Sequence, residues 1–249
     1  MRIPRCYIDS PLKTGEQAIL PEDVARHVRT VLRKGAGDQI ILFNGSGIEC
    51  LARIDQLDKK LIQATIESSS APNVESSLQL HLAQGIAKGE RMDWIIQKAT
   101  ELGVRTITPL FTERTVVKLS GARADKRREH WRQVAISAAE QCGRVVLPVI
   151  EQPTALGNWI KGFSERSGGG HQGIILHPKA EQSLRTLPLQ AERPLVLLIG
   201  PEGGLSPAER DLASAHQFHM ARMGPRVLRT ETATLTALSL LQGQFGDLI

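Results

Sequence analysis

Two short segments of the chain combine glycine with charged side chains in a way that suits binding of a small ligand. Residues 200–204 read Gly-Pro-Glu-Gly-Gly, so three positions lack side chains and the proline restricts the backbone. Residues 223–233 read Met-Gly-Pro-Arg-Val-Leu-Arg-Thr-Glu-Thr-Ala. Two such loops on neighbouring strands would form a pocket for an adenine and a short charged tail. A purely structural turn is the alternative for the first loop.

The first loop does not match the common phosphate-binding patterns. A Walker loop continues from its last glycine into Lys and then Ser or Thr, whereas Leu205 and Ser206 follow here, and the G-x-G-x-x-G fingerprint is also absent. In addition, the carboxylate of Glu202 would oppose a phosphate group. The loop therefore favours a ligand other than a nucleotide phosphate.

The elements around the first loop fix its position. Leu195–Ile199 is an uninterrupted apolar run, which predicts a central strand buried on both faces. Ligands of open parallel sheets sit beyond the carboxyl ends of the strands, so residue 200 begins where a site is expected. Ser206, Pro207 and Glu209 have the spacing of a capping box with proline at the first helical position. The sequence thus predicts a sharply defined helix start after the loop.

The first 70 residues differ in pattern from the rest of the chain. One helix and three β-like runs are predicted there, at residues 21–34, 39–43, 48–54 and 61–66. This pattern indicates a small β-barrel. Residues 68–73 have no hydrophobic period, so we place a domain boundary there and expect domains at 1–70 and 74–249.

After residue 74, strand and helix patterns alternate. Leu78, Leu80 and Leu82 recur at period two, and residues 92–102 follow at helical spacing. The sequence further predicts a strand, a helix and two more strands, at residues 104–109, 126–142, 145–150 and 173–176. The alternation indicates a mainly parallel sheet. Residues 161–172, with their glycine run, are expected to form a surface connection.

Positive charge is the main compositional signal. The formal net charge is +5 and the sequence pI is about 9.3, which permits a polyanionic partner. Arg26, Arg29 and Arg33 recur at helical intervals and predict a basic stripe. A second basic cluster opens a later helix, at Arg123, Lys126, Arg127, Arg128 and Arg132. Each cluster could neutralise nucleic-acid phosphates or simply form a solvated face.

Several classes of protein are disfavoured. The chain has no apolar run of about 18 residues and no signal-peptide core, so we expect a cytoplasmic protein without a membrane span. Cys6, Cys50 and Cys142 are widely spaced and suggest neither disulfides nor zinc. His27 and His177 lack a partner at ligand spacing, so no metal is predicted. Core packing is expected for the three tryptophans, Trp94, Trp131 and Trp159.

The two loops also carry a family resemblance. Residues 199–206 and 223–233 resemble the two cofactor-loop motifs of the RsmE family. Further segments match the family in the same order along the chain, at residues 27–33, 88–93, 98–103, 114–118 and 140–144. The resemblance therefore extends over nearly the whole chain.

The resemblance implies a fold class that periodicity alone does not reveal. It implies an α/β protein with an N-terminal PUA-like RNA-binding β-barrel and a C-terminal SPOUT domain, whose parallel sheet contains a deep trefoil knot that binds S-adenosylmethionine. It also implies a homodimer. The apolar final helix, residues 233–241, is a candidate for the dimer interface, and burial in its own domain is the alternative.

The implied activity is methylation of N3 of a specific uridine in 16S ribosomal RNA, with the small ribosomal subunit as the expected partner. Neutral uridine carries a proton on N3, so the reaction requires deprotonation or stabilisation of the anion before attack on the methyl group. Methylation of a ribose 2′-hydroxyl or of tRNA, as in other SPOUT proteins, is the nearer alternative. A non-catalytic ribosome-assembly factor is the alternative from another class.

Arg229 is the first candidate for catalysis, because its fixed charge could stabilise a developing uridinate oxygen or hold the target phosphate. Glu140 with Arg144, and separately Glu231, are candidates for accepting the proton if the carboxyl pKa is raised. An ion pair that only joins helices is the alternative for Glu140 with Arg144 and for Arg229.

The resemblance also assigns binding residues. Cofactor contacts are implied for Leu176, His177, Ile199, Gly200, Pro201, Glu202, Gly203, Gly204, Met223, Gly224, Val227, Leu228, Arg229, Thr232 and Ala233. The family commonly has Leu in place of Met223, which should preserve an apolar wall. RNA contacts are expected for Arg2, Arg5, Arg26, Arg29, Arg33, Lys88, Arg91, Arg114 and Lys118.

Overall fold

A computed structural model describes residues 3–58, 61–117, 119–167 and 170–248. Two of the predicted RNA contacts, Arg2 and Lys118, lie outside the described residues. The chain divides into two compact units, the first formed by Met1–Glu75 with Ile136–Leu147, and the second by Ser76–Ala135 with Pro148–Ile249. The sequence did not predict that residues 136–147 would join the first unit.

The first unit is built on a five-stranded mixed sheet. Its strands are β1 (Arg5–Tyr7), β2 (Gln17–Leu20), β3 (Gln39–Phe43), β4 (Glu49–Leu57) and β5 (Ile62–Ser70). Their order is β1-β3-β4-β5-β2, with β1 parallel to β3 and the other pairs antiparallel. Alternate residues face one apolar core, as in Ile62, Ala64 and Ile66 of β5. This period-two pattern is what the sequence predicted.

One helix, α1 (Glu22–Thr30), packs on this core through Ala25 and Val28. The sequence predicted that the helix would continue to residue 34, and this is wrong. The helix ends at Thr30, and Arg33 adopts a positive φ of 52° that an α-helix does not allow. Arg33 is therefore not part of a helical stripe with Arg26 and Arg29, although all three belong to the same unit.

The second unit contains a parallel sheet. Its strands are β6 (Leu80–Gly85), β7 (Thr106–Phe111), β8 (Val149–Ile150), β9 (Thr154–Ala155), β10 (Gln172–Leu176), β11 (Leu195–Ile199) and β12 (Phe218–Ala221). The order is β12-β10-β11-β6-β7-β8, and β9 also pairs with β7. All the pairs are parallel.

Helices cover both faces of this sheet. They are α2 (Glu90–Glu101), α3 (Ala122–Cys142, whose part from Ile136 belongs to the first unit), α4 (Leu156–Ser167), α5 (Pro207–Ala215) and α6 (Thr230–Phe245). Leu195, Leu197 and Ile199 of β11 join an apolar cluster with α2 and α6, whereas Val196 and Leu198 join one with α4 and α5. The predicted two-sided burial of this strand is confirmed.

Three local predictions need correction. The region predicted as a connection, residues 161–172, continues α4 as far as Ser167, and Gln172 already belongs to β10. The strand predicted at residues 145–150 is limited to Val149–Ile150. Trp94 is 42% exposed, because the buried side of α2 is taken by its neighbours Met92, Ile95 and Ile96. Trp131 and Trp159 are buried as predicted.

Candidate functional site

A cavity of about 730 Å³ lies at the carboxyl ends of β10, β11 and β12 in the second unit. Leu176, Ile199 and Ala221, the last residues of these strands, line it together with the loops that follow. A site is expected at this edge of a parallel sheet. The two segments singled out in the sequence therefore border one cavity.

All the residues predicted to contact the cofactor line the cavity except Thr232, which is exposed on α6. Arg229 and Glu231, predicted as catalytic, and Arg91 and Arg114, predicted as RNA contacts, line it too. The remaining lining residues were not predicted from the sequence; they are Pro178, Leu205, Arg210, Ala221, Arg222, Arg226 and Thr230. Leu205, Arg226 and Thr230 lie inside the two motif segments, and Pro178 and Arg222 directly adjoin predicted residues, so taking each segment whole with its neighbours would have included them.

The first loop, residues 200–204, is a tight turn that only glycine permits at its start. The N–H of Gly204 donates to the carbonyl of Pro201 at 2.8 Å. A Cβ at Gly200 would meet the backbone carbon of Gly204 at 2.7 Å, and one at Gly85 would meet Pro201 Cδ at 2.5 Å. Glycine allows the backbone to pack this closely, and because the loop has few side chains its main chain itself lines the cavity.

The loop ends at the predicted helix cap. Ser206 Oγ accepts from the N–H of Glu209 at 3.3 Å, and Glu209 Oε2 accepts from the N–H of Ser206 at 2.8 Å. With Pro207 at the first position of α5, the capping box is confirmed. Glu209 Oε1 also accepts from the N–H of Glu113 at 2.8 Å. The cap thereby ties the loop to the segment that follows β7.

Glu202 is the one acidic residue of the first loop, and its charge is compensated. Its Oε1 accepts from the N–H of Lys88 at 2.9 Å and from Arg91 Nη1 at 2.7 Å. Burial acts to raise the pKa of Glu202, but the backbone N–H donors and Arg91 outweigh burial and hold its pKa below the ordinary value. Arg91 Nε also lies 3.7 Å from Glu231 Oε1. Arg91 thus bridges the first loop and the start of α6.

Arginine side chains surround the cavity and hold loop carbonyls. Arg114 Nη1 donates to Gly203 O at 2.9 Å, and Arg210 Nη1 donates to Leu205 O at 2.7 Å. Arg222 Nη1 donates to the carbonyls of Ala180 and Glu181. Two further lining arginines, Arg226 and Arg229, are exposed. Such an excess of fixed positive charge suits a polyanionic substrate at the cavity mouth.

His177 and Glu231 are the other titratable groups in the cavity wall. Burial, and then the positive charges of Arg210 and Lys179, lower the pKa of His177, so its imidazole is neutral at neutral pH. Glu231 lies in the first turn of α6, where a carboxylate is favoured by the helix dipole. Its Oε2 is buried and makes no hydrogen bond within the described part of the chain.

The other predicted catalytic pair, Glu140 and Arg144, belongs to the first unit and does not line the cavity. Glu140 Oε1 accepts from the N–H of Tyr7 at 2.9 Å. Burial raises its pKa, against the opposing effects of this hydrogen bond and of nearby positive charges. Arg144 Nη2 lies 2.8 Å from Glu75 Oε2. Each side chain therefore has a structural partner in its own unit.

The predicted RNA contacts of the first unit differ in exposure. Arg26 and Arg33 are exposed. Arg29 is half-buried and Arg29 Nη1 donates to Asp58 O at 3.2 Å. The side chain of Arg5 is almost fully buried, where it pairs with Glu49 and donates to the carbonyl of Arg144. In the second unit, Lys88 contributes its backbone N–H to Glu202.

The described residues contain neither a metal-binding cluster nor a membrane-spanning helix. No group of three or more His, Cys, Asp or Glu side chains among them is arranged to hold a metal ion. In the same part of the chain, no helix combines the length and the apolar character needed to cross a bilayer.

Profiles of two protein families match the chain. The family described as "RNA methyltransferase domain" matches residues 74–242, and that described as "RNA methyltransferase PUA domain" matches residues 20–67. Ribosomal RNA small subunit methyltransferase E of Buchnera aphidicola (from Acyrthosiphon pisum) is 35% identical, covering 99% of this chain and 95% of that relative. Its counterpart in Bacillus subtilis is 33% identical, with 96% of both chains covered.

Solved structures show the same fold over the full length. A Legionella pneumophila protein described as a methyltransferase, solved with bound S-adenosylmethionine, superposes with a TM-score of 0.93 at 43% identity, covering 100% of both chains. Ribosomal RNA small subunit methyltransferase E of Neisseria gonorrhoeae, also bound to S-adenosylmethionine, superposes with a TM-score of 0.91 at 32% identity, again over 100% of both chains. The predicted fold class is confirmed. This chain belongs to the family of ribosomal RNA small subunit methyltransferase E.

Proposed function

We propose that this protein transfers the methyl group of S-adenosylmethionine to N3 of a uridine in 16S ribosomal RNA of the small subunit. The observation that carries the proposal is the cavity at the carboxyl ends of β10, β11 and β12, because it is lined by both of the loops that resemble the family's cofactor loops. Two relatives of the same fold hold S-adenosylmethionine. A cavity of about 730 Å³ is also of the size that binds a ligand of this kind.

The residues present fit this methyl donor. Apolar side chains for the flat base are available from Leu176, Met223 and Leu228, and the glycine backbone of the first loop offers N–H and C=O groups. Glu202 and Arg91 provide opposite charges for the ammonium and carboxylate of the donor's amino-acid tail. When bound, the donor supplies an electrophilic methyl group on a sulfonium centre.

The chain's own part in the reaction concerns the uridine N3 proton and the charge that its loss leaves. Arg229 is exposed at the N-cap of α6 and lines the cavity. Its guanidinium would stabilise negative charge developing on a uracil oxygen, which is the form of catalysis that a fixed cation supplies best. Glu231, two residues further on, is the cavity-lining candidate for accepting the proton.

Glu140 is retained as a second candidate for the proton acceptor. Its raised pKa brings proton exchange nearer to neutral pH, which favours this role. Glu140 belongs to the first unit and is not among the residues that line the cavity, which speaks against this role. Arg144, which pairs with Glu75, would act only by orienting its surroundings.

RNA binding is proposed for both units. The first unit matches a PUA domain, and Arg26 and Arg33 provide exposed charge there. In the second unit, Arg226 and Arg229 provide it at the cavity. Binding should weaken steeply with salt, since each phosphate contact releases condensed counterions. We further propose that the protein is a cytoplasmic homodimer and that its substrate is the small ribosomal subunit.

The decisive experiment is transfer of a labelled methyl group from S-adenosylmethionine to small ribosomal subunits from cells that lack this protein, followed by nucleoside analysis. Label in 3-methyluridine is the expected result. Label in a 2′-O-methylated nucleoside, or transfer to tRNA instead, would replace the proposed acceptor with that of other SPOUT enzymes. Tight cofactor binding with no transfer to any RNA would favour a non-catalytic assembly factor. Free 16S RNA, tested in parallel, reports whether the assembled particle is required.

A further inference from the structure

A buried glutamine interrupts the apolar pattern of β6. Leu80 and Leu82 point into the core shared with α2 and α6, and Gln84 continues the same face at period two with 0% exposure. An amide buried at such a position destabilises the fold unless its polar atoms are hydrogen-bonded. Gln84 is paired in register with Ile199, the residue that precedes the first cavity loop.

The amide of Gln84 joins the two loops that border the cavity. Its Nε2 donates to Gly85 O at 2.9 Å and to Thr230 Oγ1 at 3.1 Å, and it lies 3.5 Å from Gly200 O. Its Oε1 accepts from Thr234 Oγ1 at 2.8 Å. One side chain therefore contacts the end of β6, the first residue of the first loop and the first turn of α6.

Thr230 completes the link. Its Oγ1 donates to Gly200 O at 2.8 Å while accepting from Gln84, and Thr234 Oγ1 lies 2.9 Å from the carbonyl of Thr230. The carbonyl of Gly200 thus accepts one close hydrogen bond, from Thr230, and Gln84 holds the Thr230 hydroxyl in place, so both side chains fix the orientation of the Gly200–Pro201 peptide. Gly200 lines the cavity and has no room for a Cβ, so a change in this peptide would change the cavity wall.

We propose that Gln84 is a positioning residue for the methyl-donor site. It does not line the cavity, and it acts by holding the first loop and the start of α6 at a fixed separation. The inference rests on the proposed function, because the donor is the ligand whose binding it sets. An apolar residue at position 84 would pack in the same core but would leave the carbonyl of Gly200 and the hydroxyl of Thr230 without their shared partner.

A second buried glutamine in the same unit serves as a matched control. Gln242 also has 0% exposure; its Oε1 accepts from Ser76 Oγ at 2.8 Å and its Nε2 donates to Leu102 O at 2.7 Å. Gln242 does not line the cavity, and neither of these partners does. Replacing either glutamine by methionine removes an amide of similar length from a buried site.

The test compares Gln84→Met with Gln242→Met. Thermal unfolding measures their stability, and isothermal titration calorimetry measures binding of S-adenosylhomocysteine, the product that would share the site. Both variants should unfold at lower temperature. Gln84→Met should raise the Kd about ten-fold, which corresponds to the loss of one or two buried hydrogen bonds. Gln242→Met should bind as tightly as the unmodified protein, within about two-fold.

Thr230 provides a second test that does not require Gln84→Met to fold. Thr230→Val removes the hydroxyl that links Gln84 to Gly200 and should weaken binding, whereas Thr230→Ser keeps the hydroxyl and should restore it. The positioning role is overturned if Gln84→Met and Gln242→Met bind alike, or if Thr230→Val and Thr230→Ser bind alike. Failure of the unmodified protein to bind S-adenosylhomocysteine would instead overturn the proposed function, and the inference with it.

Discussion

Glu140 in the first unit and Glu202 in the second show how similar local bonding leads to opposite acid–base behaviour. Each carboxylate accepts a backbone N–H from a distant residue at 2.9 Å, Glu140 from Tyr7 and Glu202 from Lys88. Burial dominates at Glu140 and raises its pKa. At Glu202 burial also acts to raise the pKa, but the N–H donors and Arg91 prevail and lower it. The two differ in burial, since Glu140 is half-buried and Glu202 is exposed, and Glu202 also contacts the Arg91 guanidinium directly.

The comparison separates two kinds of site. Glu202 stays ionised, so it can shape the loop and offer a fixed negative charge, but it is poorly suited to exchanging protons. Glu140 is better suited to proton exchange, yet its described partners lie in the first unit. Two ion pairs differ in exposure in the same way. The side chain of Arg144, which pairs with Glu75, is 4% exposed, whereas that of Arg91, which pairs with Glu202, is 43% exposed.

The largest expected effect is on stability, at the buried pair. Arg144→Ala leaves the partly buried Glu75 without this charged partner, and removing the buried side of such an ion pair should lower the free energy of unfolding by about 3 kcal/mol. Urea denaturation at neutral pH measures this loss. Arg53→Ala, which removes a partner of Glu67 in an exposed pair of the same unit, is the control and should change the midpoint little. A stable Arg144→Ala variant that loses methylation would return Arg144 to the catalytic candidates.

The next effect concerns Arg229 in the cavity. Arg229→Ala should slow single-turnover methylation about 100-fold, which is typical of losing one electrostatic contact to a developing charge. Affinity for S-adenosylhomocysteine should change much less. Arg226→Ala removes another exposed arginine that lines the cavity in the same segment. It tests whether the effect depends on the position of Arg229 or only on positive charge at the cavity. Equal losses in the two variants would mean that Arg229 acts only through general positive charge.

A smaller effect is expected at the exposed pair. Arg91→Gln should leave the midpoint of urea denaturation near that of the unmodified protein, because half-exposed ion pairs contribute little to stability. It should raise the pKa of Glu202 and weaken donor binding a few-fold, since the first loop loses one of its two anchors at that carboxylate. Calorimetry with S-adenosylhomocysteine measures the second effect. A loss of stability as large as that of Arg144→Ala would remove the contrast between the two pairs.

The smallest effects are opposite pH trends in stability. Because the pKa of Glu140 is raised in the folded state, this carboxyl stabilises the fold at pH values below its ordinary pKa of 4.5. That stabilisation is lost as the pH rises through the folded-state pKa. Glu140→Gln should therefore gain stability relative to the unmodified protein over that rise. Because the pKa of Glu202 is lowered in the folded state, this carboxyl stabilises the fold at pH values above its ordinary pKa of 4.5. That stabilisation is lost as the pH falls through the folded-state pKa. Glu202→Gln should therefore be less stable than the unmodified protein near neutral pH. Urea denaturation of both variants across this pH range measures the two trends. If the stability difference from the unmodified protein changed in the same direction with pH for both variants, the contrast between the two carboxylates would be wrong.

The local sequence was sufficient to predict those features of the fold that depend only on neighbouring residues. The capping box at Ser206 and Glu209 and the buried run of β11 were both predicted and are confirmed. The local sequence did not predict where a helix ends, or which of its sides is buried, when packing against the rest of the fold decides this. The helix before Arg33 ends early, and Trp94 lies on the outward side of α2, although both positions fit a helical pattern.

The sequence by itself determined the kinds of elements, the two loops and the family that those loops indicate, because periodicity, caps and motifs are written in adjacent residues. Only the tertiary structure decided which distant groups meet. Gln84 lies 116 residues from Gly200 along the chain, and Glu75 lies 69 residues from Arg144. Burial and long-range contacts set the pKa of each carboxylate and the partners of each buried amide, and neither is encoded in the spacing of neighbouring residues.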